Sequence, residues 1–211
     1  MKLKVASTLA VFILAFVFAV VPASADVLYD NTGPGSFATN AWDFFNGGGG
    51  GSTISNSFVL SHDSAVSGFN FYAWVYPGDS LSSYTWAITS TPFGAPIATG
   101  NAIGGPNTQV GTGFGYYPIL QESVSFAGLY LLANTTYYFE LSNGVDAYDI
   151  GVWWDESDGP STAMSTAVAG QIPSETFQVV GTEVPEPSSL LLFGNGLLGV
   201  AALVRRRMAR A

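Results

Sequence analysis

The sequence predicts an all-β domain, an antiparallel β-sandwich of the jelly-roll type, between two hydrophobic ends. Through the middle of the chain, apolar and aromatic residues alternate with other residues at period two in short segments, which is the pattern of β-strands. Clusters of Gly, Pro and Asn separate these segments, as turns do. Residues 26–181 contain no apolar stripe at helical spacing. Helical crossovers are therefore not expected, and the strands should pair antiparallel.

The N-terminal segment has the three parts of a secretory signal peptide. Lys2 and Lys4 precede an apolar run over residues 5–21, and an Ala-Ser-Ala sequence follows as the cleavage site. A basic start, a short apolar stretch and small residues are what signal peptidase recognises. We therefore expect residues 1–25 to be removed and residues 26–181 to fold outside the cytoplasm.

The middle of the chain divides into short predicted strands. The clearest pair covers residues 69–76 and 81–89, and the Pro-Gly-Asp-Ser sequence at 77–80 is expected to join them as a β-hairpin. Residues 91–118 are rich in Gly, Pro and Asn and predict long loops around one or two short strands. Further strands are predicted over residues 27–29, 54–60, 121–126, 129–132, 135–141, 148–154 and 177–180.

Composition excludes several functions for this domain. All six basic residues lie in the two ends, whereas fourteen of the fifteen acidic residues lie between Asp26 and Glu183. A domain without Lys or Arg cannot neutralise phosphates, so binding to nucleic acid or to an anionic membrane surface is excluded. The sequence also has no cysteine, which rules out disulfides and thiolate chemistry.

Acidic residues crowd the region from 146 to 158. Asp155 and Asp158, just before a Gly-Pro turn, are the candidate ligands for a calcium ion, because calcium binds carboxylate and carbonyl oxygens of loops. Their spacing does not match an EF-hand loop. The alternative is a solvated acidic turn, and no other cofactor is expected.

Three tryptophans form a candidate platform for a sugar ring: Trp74, Trp153 and Trp154. The last two are adjacent on a predicted strand, so one should face the core and the other should not. An outward indole offers a flat apolar face on which a sugar can stack, with carboxylates and amides nearby for its hydroxyls. The alternative is that these aromatic residues pack the core or cover loops.

No pattern in the sequence points to catalytic residues. His62 stands between Ser61 and Asp63, but adjacent residues of a strand point apart and the members of a catalytic triad meet in space. The acidic residues offer many pairs for glycoside hydrolysis, and no motif singles one out. We expect a protein that is not an enzyme, with a secreted glycoside hydrolase as an alternative.

A Pro-Glu-Pro motif opens the C-terminal segment. Val184, Pro185, Glu186 and Pro187 contain two prolines that cannot donate to a sheet ladder and disfavour helix in the residue before them. We therefore expect the folded domain to end before them, in an extended linker over residues 182–189.

A short apolar run and a basic end complete this segment. Residues 190–204 predict a short transmembrane helix, near the lower limit of the roughly 17–25 residues that cross a bilayer. Residues 205–211 predict a basic cytoplasmic tail, in which Arg205, Arg206 and Arg207 stop transfer, because inward-facing flanks carry the basic excess. The glycines and the asparagine in the run favour a transient anchor that is cut.

Together these three parts resemble the PEP-CTERM sorting signal of Gram-negative bacteria, which is handed to an exosortase. The resemblance covers about the last 28 residues. It implies export, processing near the Pro-Glu-Pro motif, and attachment or release at the cell surface, commonly beside exopolysaccharide production and biofilm. It implies nothing about the activity of the middle domain.

These observations lead to one expected function and one alternative besides the hydrolase. We expect an exported, non-enzymatic protein of the cell surface or extracellular matrix, associated with exopolysaccharide. Signal peptidase and an exosortase would process it, and its precursor would be held transiently in the inner membrane. The alternative is a lectin-like carbohydrate-binding module, with or without calcium.

Overall fold

The alternating segments form strands through most of the described chain. The computed structural model describes residues 25–32, 40–47, 51–184 and 187–209. The predicted signal peptide, residues 1–25, lies outside these ranges except for its last residue. Within the described ranges there are fourteen strands and one helix. They are β1 (Asp26–Asp30), β2 (Ala41–Asp43), β3 (Ile54–Val59), β4 (Ser64–Trp74), β5 (Leu81–Thr89), β6 (Pro96–Ile103), β7 (Thr108–Gly113), β8 (Tyr117–Leu131), β9 (Thr136–Asp146), β10 (Trp153–Ser157), β11 (Ala163–Ser165), β12 (Gln171–Ile172), β13 (Ser174–Glu175), β14 (Phe177–Glu183) and α1 (Pro187–Ala209).

These strands pair into two antiparallel sheets. In the first sheet β4 is central and pairs with β8, β14 and β10. Strand β1 pairs with β14, β7 pairs with β8, and both β2 and β13 pair with β10. The second sheet has the order β12-β11-β3-β9-β5-β6. The predicted antiparallel all-β architecture is confirmed.

The two sheets face each other across a core of aromatic rings. Phe69 of β4 stacks on Phe139 of β9, with ring centroids 4.1 Å apart and an interplanar angle of 2°. Trp154 of β10 contacts the same Phe139 ring edge-on at 5.4 Å, and Phe177 of β14 contacts it at 5.8 Å. All four side chains are buried. Because rings from both sheets meet, the apolar surface that they remove from water holds the sheets together.

The predicted hairpin of residues 69–76 and 81–89 is wrong. Strand β4 belongs to the first sheet, whereas β5 belongs to the second and pairs with β6 and β9. The connection over residues 75–80 therefore crosses between the sheets, which lie about 10 Å apart in such packings. Each strand has an apolar face, so each buries that face against the opposite sheet instead of pairing with its neighbour in sequence.

The glycine-rich region 91–118 contains more strand than its composition predicts. Strands β6 and β7 and the first residues of β8 occupy most of it. Strand β6 pairs with β5 at the end of the second sheet, and β7 pairs with β8 in the first. Both are edge strands, where backbone pairing on one side is enough to hold a segment with few large side chains.

The C-terminal segment follows the last strand almost directly. Strand β14 continues through Glu183 and α1 begins at Pro187, so the linker predicted over residues 182–189 is much shorter in the structure. Proline is well suited to the first position of a helix, because its missing N–H has no intrahelical partner there. The predicted span, residues 190–204, lies inside α1. No helix in the part of the chain that the structure describes is long and apolar enough to cross a membrane.

Candidate functional site

A cavity with aromatic walls opens at one end of the first sheet. Its volume is about 230 Å³, and it lies where the end of β4, the β7–β8 turn and the start of β10 meet. Four of its six lining residues are aromatic. The lining residues are Asn40, Ala41, Trp74, Phe114, Tyr117 and Trp153.

Strand pairing places two of the three predicted platform residues in this cavity. Trp74 and Trp153 are direct partners across the β4–β10 ladder, and directly paired residues point to the same side of a sheet. Trp154 points to the other side, is fully buried, and donates its indole N–H to the Thr176 carbonyl at 2.8 Å. The expectation that one of the two adjacent tryptophans faces the core is confirmed. Trp154 is a core residue and cannot serve as a platform.

A buried carboxylate fixes the floor of the cavity. Trp74 Nε1 donates to Asp155 Oδ1 at 2.5 Å, and Thr176 Oγ1 donates to the other oxygen of Asp155 at 2.9 Å. Trp74 is only 3% exposed, so its indole plane is held in one orientation by a charge-assisted hydrogen bond. Asp155 therefore orients the ring that forms the base of the site.

The two predicted calcium ligands lie in different environments. Asp155 is fully buried and bonded to Trp74 and Thr176, whereas Asp158 is exposed in the turn after β10. Among the described residues, no group of three or more His, Asp or Glu side chains is arranged to hold a metal ion. Calcium binding stays a prediction.

Aromatic contacts build the walls of the cavity. Tyr117 stacks on Trp74 with centroids 6.0 Å apart and meets Trp153 at 5.8 Å. The half-buried Trp153 is also supported by Tyr76 at 5.5 Å. Phe114 meets the Trp74 ring edge-on at 5.3 Å, with an interplanar angle of 87°. Sequence reasoning did not single out Phe114 or Tyr117, although the Gly-Phe-Gly-Tyr-Tyr sequence at 113–117 was a signal for an aromatic turn.

The turn that presents Phe114 is strained. Phe114 and Gly115 have φ values of 49° and 68°, and Tyr116 N donates to the Gly113 carbonyl at 2.9 Å. This is a type I′ turn, for which Asn-Gly is preferred. A bulky residue in the left-handed region costs of order 1–3 kcal/mol, and such strain clusters at functional sites. Phe114 is nevertheless 66% exposed, so burial of its ring offsets little of that cost.

Polar groups border the cavity on the side of β2. Glu156 Oε1 accepts from Trp42 Nε1 at 3.3 Å and from Asn40 Nδ2 at 3.4 Å. Asp43 is the direct partner of Trp153 across the β2–β10 ladder. Asn40 is thus the polar side chain that lines the cavity, these carboxylates lie outside the lining, and no Lys or Arg occurs between residues 26 and 204.

A further carboxyl group is buried behind the cavity. Glu175 lies directly opposite Glu156 across the β10–β13 ladder. Its side chain is fully buried, and neither carboxyl oxygen has a hydrogen-bond partner. Burial, with the nearby charges of Glu156 and Asp155, raises the pKa of Glu175 well above its ordinary value. The side chain is therefore neutral under conditions in which a solvated glutamate is ionised.

The absence of a side chain at Gly113 is needed for the position of Trp74. A Cβ at this residue would lie 2.3 Å from the Trp74 ring, closer than any van der Waals contact allows. We expect Gly113→Ala to displace the indole from Asp155 and to change the near-ultraviolet circular dichroism spectrum. Gly128→Ala is the control, because its Cβ would have its nearest contacts at 4.0 Å. Identical spectra for both variants would contradict this account of the floor.

The Ser61-His62-Asp63 run does not form a triad. Ser61 Oγ lies 3.1 Å from His62 Nδ1 on the surface, and the same nitrogen lies 3.2 Å from Glu183 Oε1. Asp63 instead accepts from the Tyr130 hydroxyl at 2.6 Å and from Ala133 N at 2.8 Å. These hydrogen bonds, that from Ala133 N first, hold the pKa of Asp63 below its ordinary value. His62 thus connects the β3–β4 turn to the end of β14.

The sorting segment leaves the domain at this turn. Val184 N donates to the Asp63 carbonyl at 2.7 Å, so the folded domain extends to the first residue of the predicted motif. Pro185 and Glu186 lie outside the described residues, and Pro187 begins α1. Three exposed arginines, Arg205, Arg206 and Arg207, lie near the other end of the helix. A hollow of about 560 Å³ beside α1 is lined by residues of that helix alone, so no second wall encloses it.

Comparison with known protein families identifies this C-terminal segment. Residues 183–207 match the PEP-CTERM protein-sorting motif, which confirms the resemblance inferred from the three-part tail. The motif indicates an extracellular protein that is sorted by an exosortase and exported as a membrane-anchored precursor. No curated protein matches the chain.

Proposed function

We propose that the protein is a non-enzymatic component of the cell surface or extracellular matrix and that it associates with exopolysaccharide. The match to the sorting motif at residues 183–207 carries this proposal. The motif match begins at Glu183, the last residue of β14, so it reaches back to the end of the folded domain. The whole acidic β-domain is therefore the cargo that the tail delivers.

The two ends act in sequence in this proposal. The signal peptide starts export and is removed after residue 25. The apolar run of residues 190–204 then holds the precursor in the inner membrane, with the arginines after it on the cytoplasmic side. An exosortase cuts near the Pro-Glu-Pro motif, and the domain reaches the surface or the matrix.

The intact mass of the protein recovered from outside the cells tests the sorting proposal. The expected chain starts at Asp26 and ends near the Pro-Glu-Pro motif. A Pro185→Ala, Pro187→Ala double variant should stay in the membrane fraction at full tail length. Pro160→Ala, which makes the same chemical change at an exposed turn of the domain, should be processed normally. An external protein that continues through Ala211 would contradict the proposal.

A carbohydrate-binding module is the second candidate function, and the aromatic cavity favours it. Trp74 and Trp153, predicted from the sequence as sugar platforms, lie beside each other at a cavity with an amide at its rim. Flat aromatic faces with a few polar groups are typical of sugar sites. We expect the exported protein to be retained on the polysaccharide of its own cells without releasing reducing ends. Release of reducing ends would contradict the non-enzymatic proposal.

A further inference from the structure

We infer that the aromatic cavity binds one uncharged pyranose ring, at a chain end or side branch of a polysaccharide, and discriminates against uronic acids. This inference rests on the proposed carbohydrate-binding function and specifies its ligand class. The size of the cavity, the chemistry of its walls, the charge around it and the strained turn at its mouth each support it.

The size of the cavity limits what can enter it. Its volume of about 230 Å³ is below the roughly 300–1,000 Å³ of pockets that enclose drug-sized ligands. An oligosaccharide segment of several rings would not fit inside. A single pyranose ring would fit, with the rest of the chain left outside the mouth.

The walls offer apolar surface more than hydrogen bonds. The Trp74 indole N–H is already donated to Asp155 and the residue is only 3% exposed, so it contributes a small apolar base to the cavity and no hydrogen bond. Tyr117, Trp153 and Phe114 add further ring surface. The C–H groups on one face of a pyranose match such walls, and the Asn40 side chain at the rim has both a donor and an acceptor for its hydroxyls.

The charge around the cavity favours a neutral ligand. Asp155 lies beneath Trp74, Glu156 is bonded to Asn40, and Asp43 is paired with Trp153. No Lys or Arg occurs between residues 26 and 204 to balance them. None of these three carboxylates is among the lining residues, but a carboxylate on the sugar would find no Lys or Arg partner in the domain and would be repelled by the acidic residues around the cavity.

The strained turn at the mouth points to a role for Phe114 in binding. Its φ of 49° is unfavourable for a bulky residue, and its ring is 66% exposed. Phe114 therefore adds little to the stability of the folded domain. Its ring would instead bury surface against a pyranose ring that enters the cavity. Phe114 is therefore the residue at which binding and stability can be separated by substitution.

The test compares matched pairs of sugars on the exported protein. The probes are the methyl glycosides of glucose, galactose and mannose, each beside the corresponding uronate, and tryptophan fluorescence measures their binding. We expect at least one neutral glycoside to bind and its uronate to bind at least about tenfold more weakly, a difference well within what like-charge repulsion can produce. Equal or tighter binding of the uronate would overturn the inference.

Two exposed phenylalanines with positive φ provide a matched set of variants. Phe114→Asn relaxes the turn and removes the wall, so we expect an equal or higher melting temperature together with binding weakened by about tenfold. Phe93→Asn makes the same change at φ 57° in the β5–β6 connection, outside the cavity lining, and should leave binding unchanged. Trp153→Leu, which removes the flat ring, should also abolish binding. Unchanged binding in the Phe114 and Trp153 variants would overturn the inference.

Binding to the polysaccharide of the cells distinguishes failure of this inference from failure of the proposed carbohydrate-binding function. If that polysaccharide binds and the Phe114 and Trp153 variants retain it fully, the carbohydrate-binding function stands and the cavity is not its site. If neither the polysaccharide nor any glycoside binds, the carbohydrate-binding function and the inference about the cavity are both contradicted. Self-association in place of sugar binding, measured by sedimentation, would show that the cavity receives a second copy of the chain and would also overturn the inference.

Discussion

Replacing Phe139 by alanine is expected to lower the free energy of unfolding by about 3–5 kcal/mol, the range for a buried phenylalanine. The Phe139 ring joins the two sheets, because it stacks on Phe69 at 4.1 Å and contacts Trp154 and Phe177. Truncation would leave a cavity among rings that come from the three strands β4, β10 and β14. Since whole domains are stable by only about 5–15 kcal/mol, the loss is a large part of the total.

Urea unfolding of the exported protein measures this effect as a lower midpoint with an unchanged slope. Tyr138→Ala is the control on the same strand, since the neighbouring side chain points to the opposite face and is only partly buried. It should cost about 1 kcal/mol, a typical value for a single substitution. Equal losses for the two variants would show that the ring stack is not the centre of the core.

Replacing Glu175 by glutamine is expected to remove a decrease in stability that the native protein shows as the pH rises. Burial, with the charges of Glu156 and Asp155, raises the pKa of Glu175 well above 4.5 in the folded protein. Above about pH 4.5 the unfolded chain has released this proton and the folded chain still holds it. The folded state then binds more protons, so stability falls by up to about 1.4 kcal/mol per pH unit until the folded pKa is reached.

Urea midpoints between pH 4 and pH 8 test this effect. Glutamine has the shape of the protonated acid and does not ionise, so the Glu175→Gln variant should resemble the native protein near pH 4 and exceed it increasingly at higher pH. Asp158→Asn, which changes an exposed acid after the same strand β10, should retain the native pH dependence. A Glu175 variant with the native pH dependence would contradict the assignment of a neutral buried carboxyl group.

The sequence predicted the strands far better than their partners. Residues 69–76 and 81–89 alternate as a hairpin would; residues 69–74 indeed belong to β4, and residues 81–89 form β5. Alternation shows only which side chains share a face of a strand. The pattern is the same whether the next strand pairs with it in the same sheet or lies in the facing sheet. Strand β4 pairs with β8, β14 and β10, and these partners are far away in sequence, so local patterns could not reveal them.

The candidate site was predicted in part for the same reason. Trp74 and Trp153 were recognisable because indole side chains with alternating neighbours are few. Phe114 and Tyr117 reach the cavity only through the type I′ turn and the β7–β8 pairing, and the turn departs from the Asn-Gly sequence that identifies such turns. Asp155 was predicted as a calcium ligand from its place in an acidic stretch, and the sequence could not show its hydrogen bond with the Trp74 indole N–H. Calcium binding itself stays a prediction.

The length of β4 separates the cavity from the point at which the tail leaves the domain. Strand β4 begins at Ser64, beside the Asp63 carbonyl that holds Val184, and ends at Trp74 on the cavity floor. The ten residue-to-residue steps between them span about 33 Å in an extended strand. In a copy held by its C-terminal end, the cavity would thus lie at the distal tip, with the body of the domain as a spacer. Many copies held alike would place their cavities in a layer one domain length above the surface, facing the medium outside.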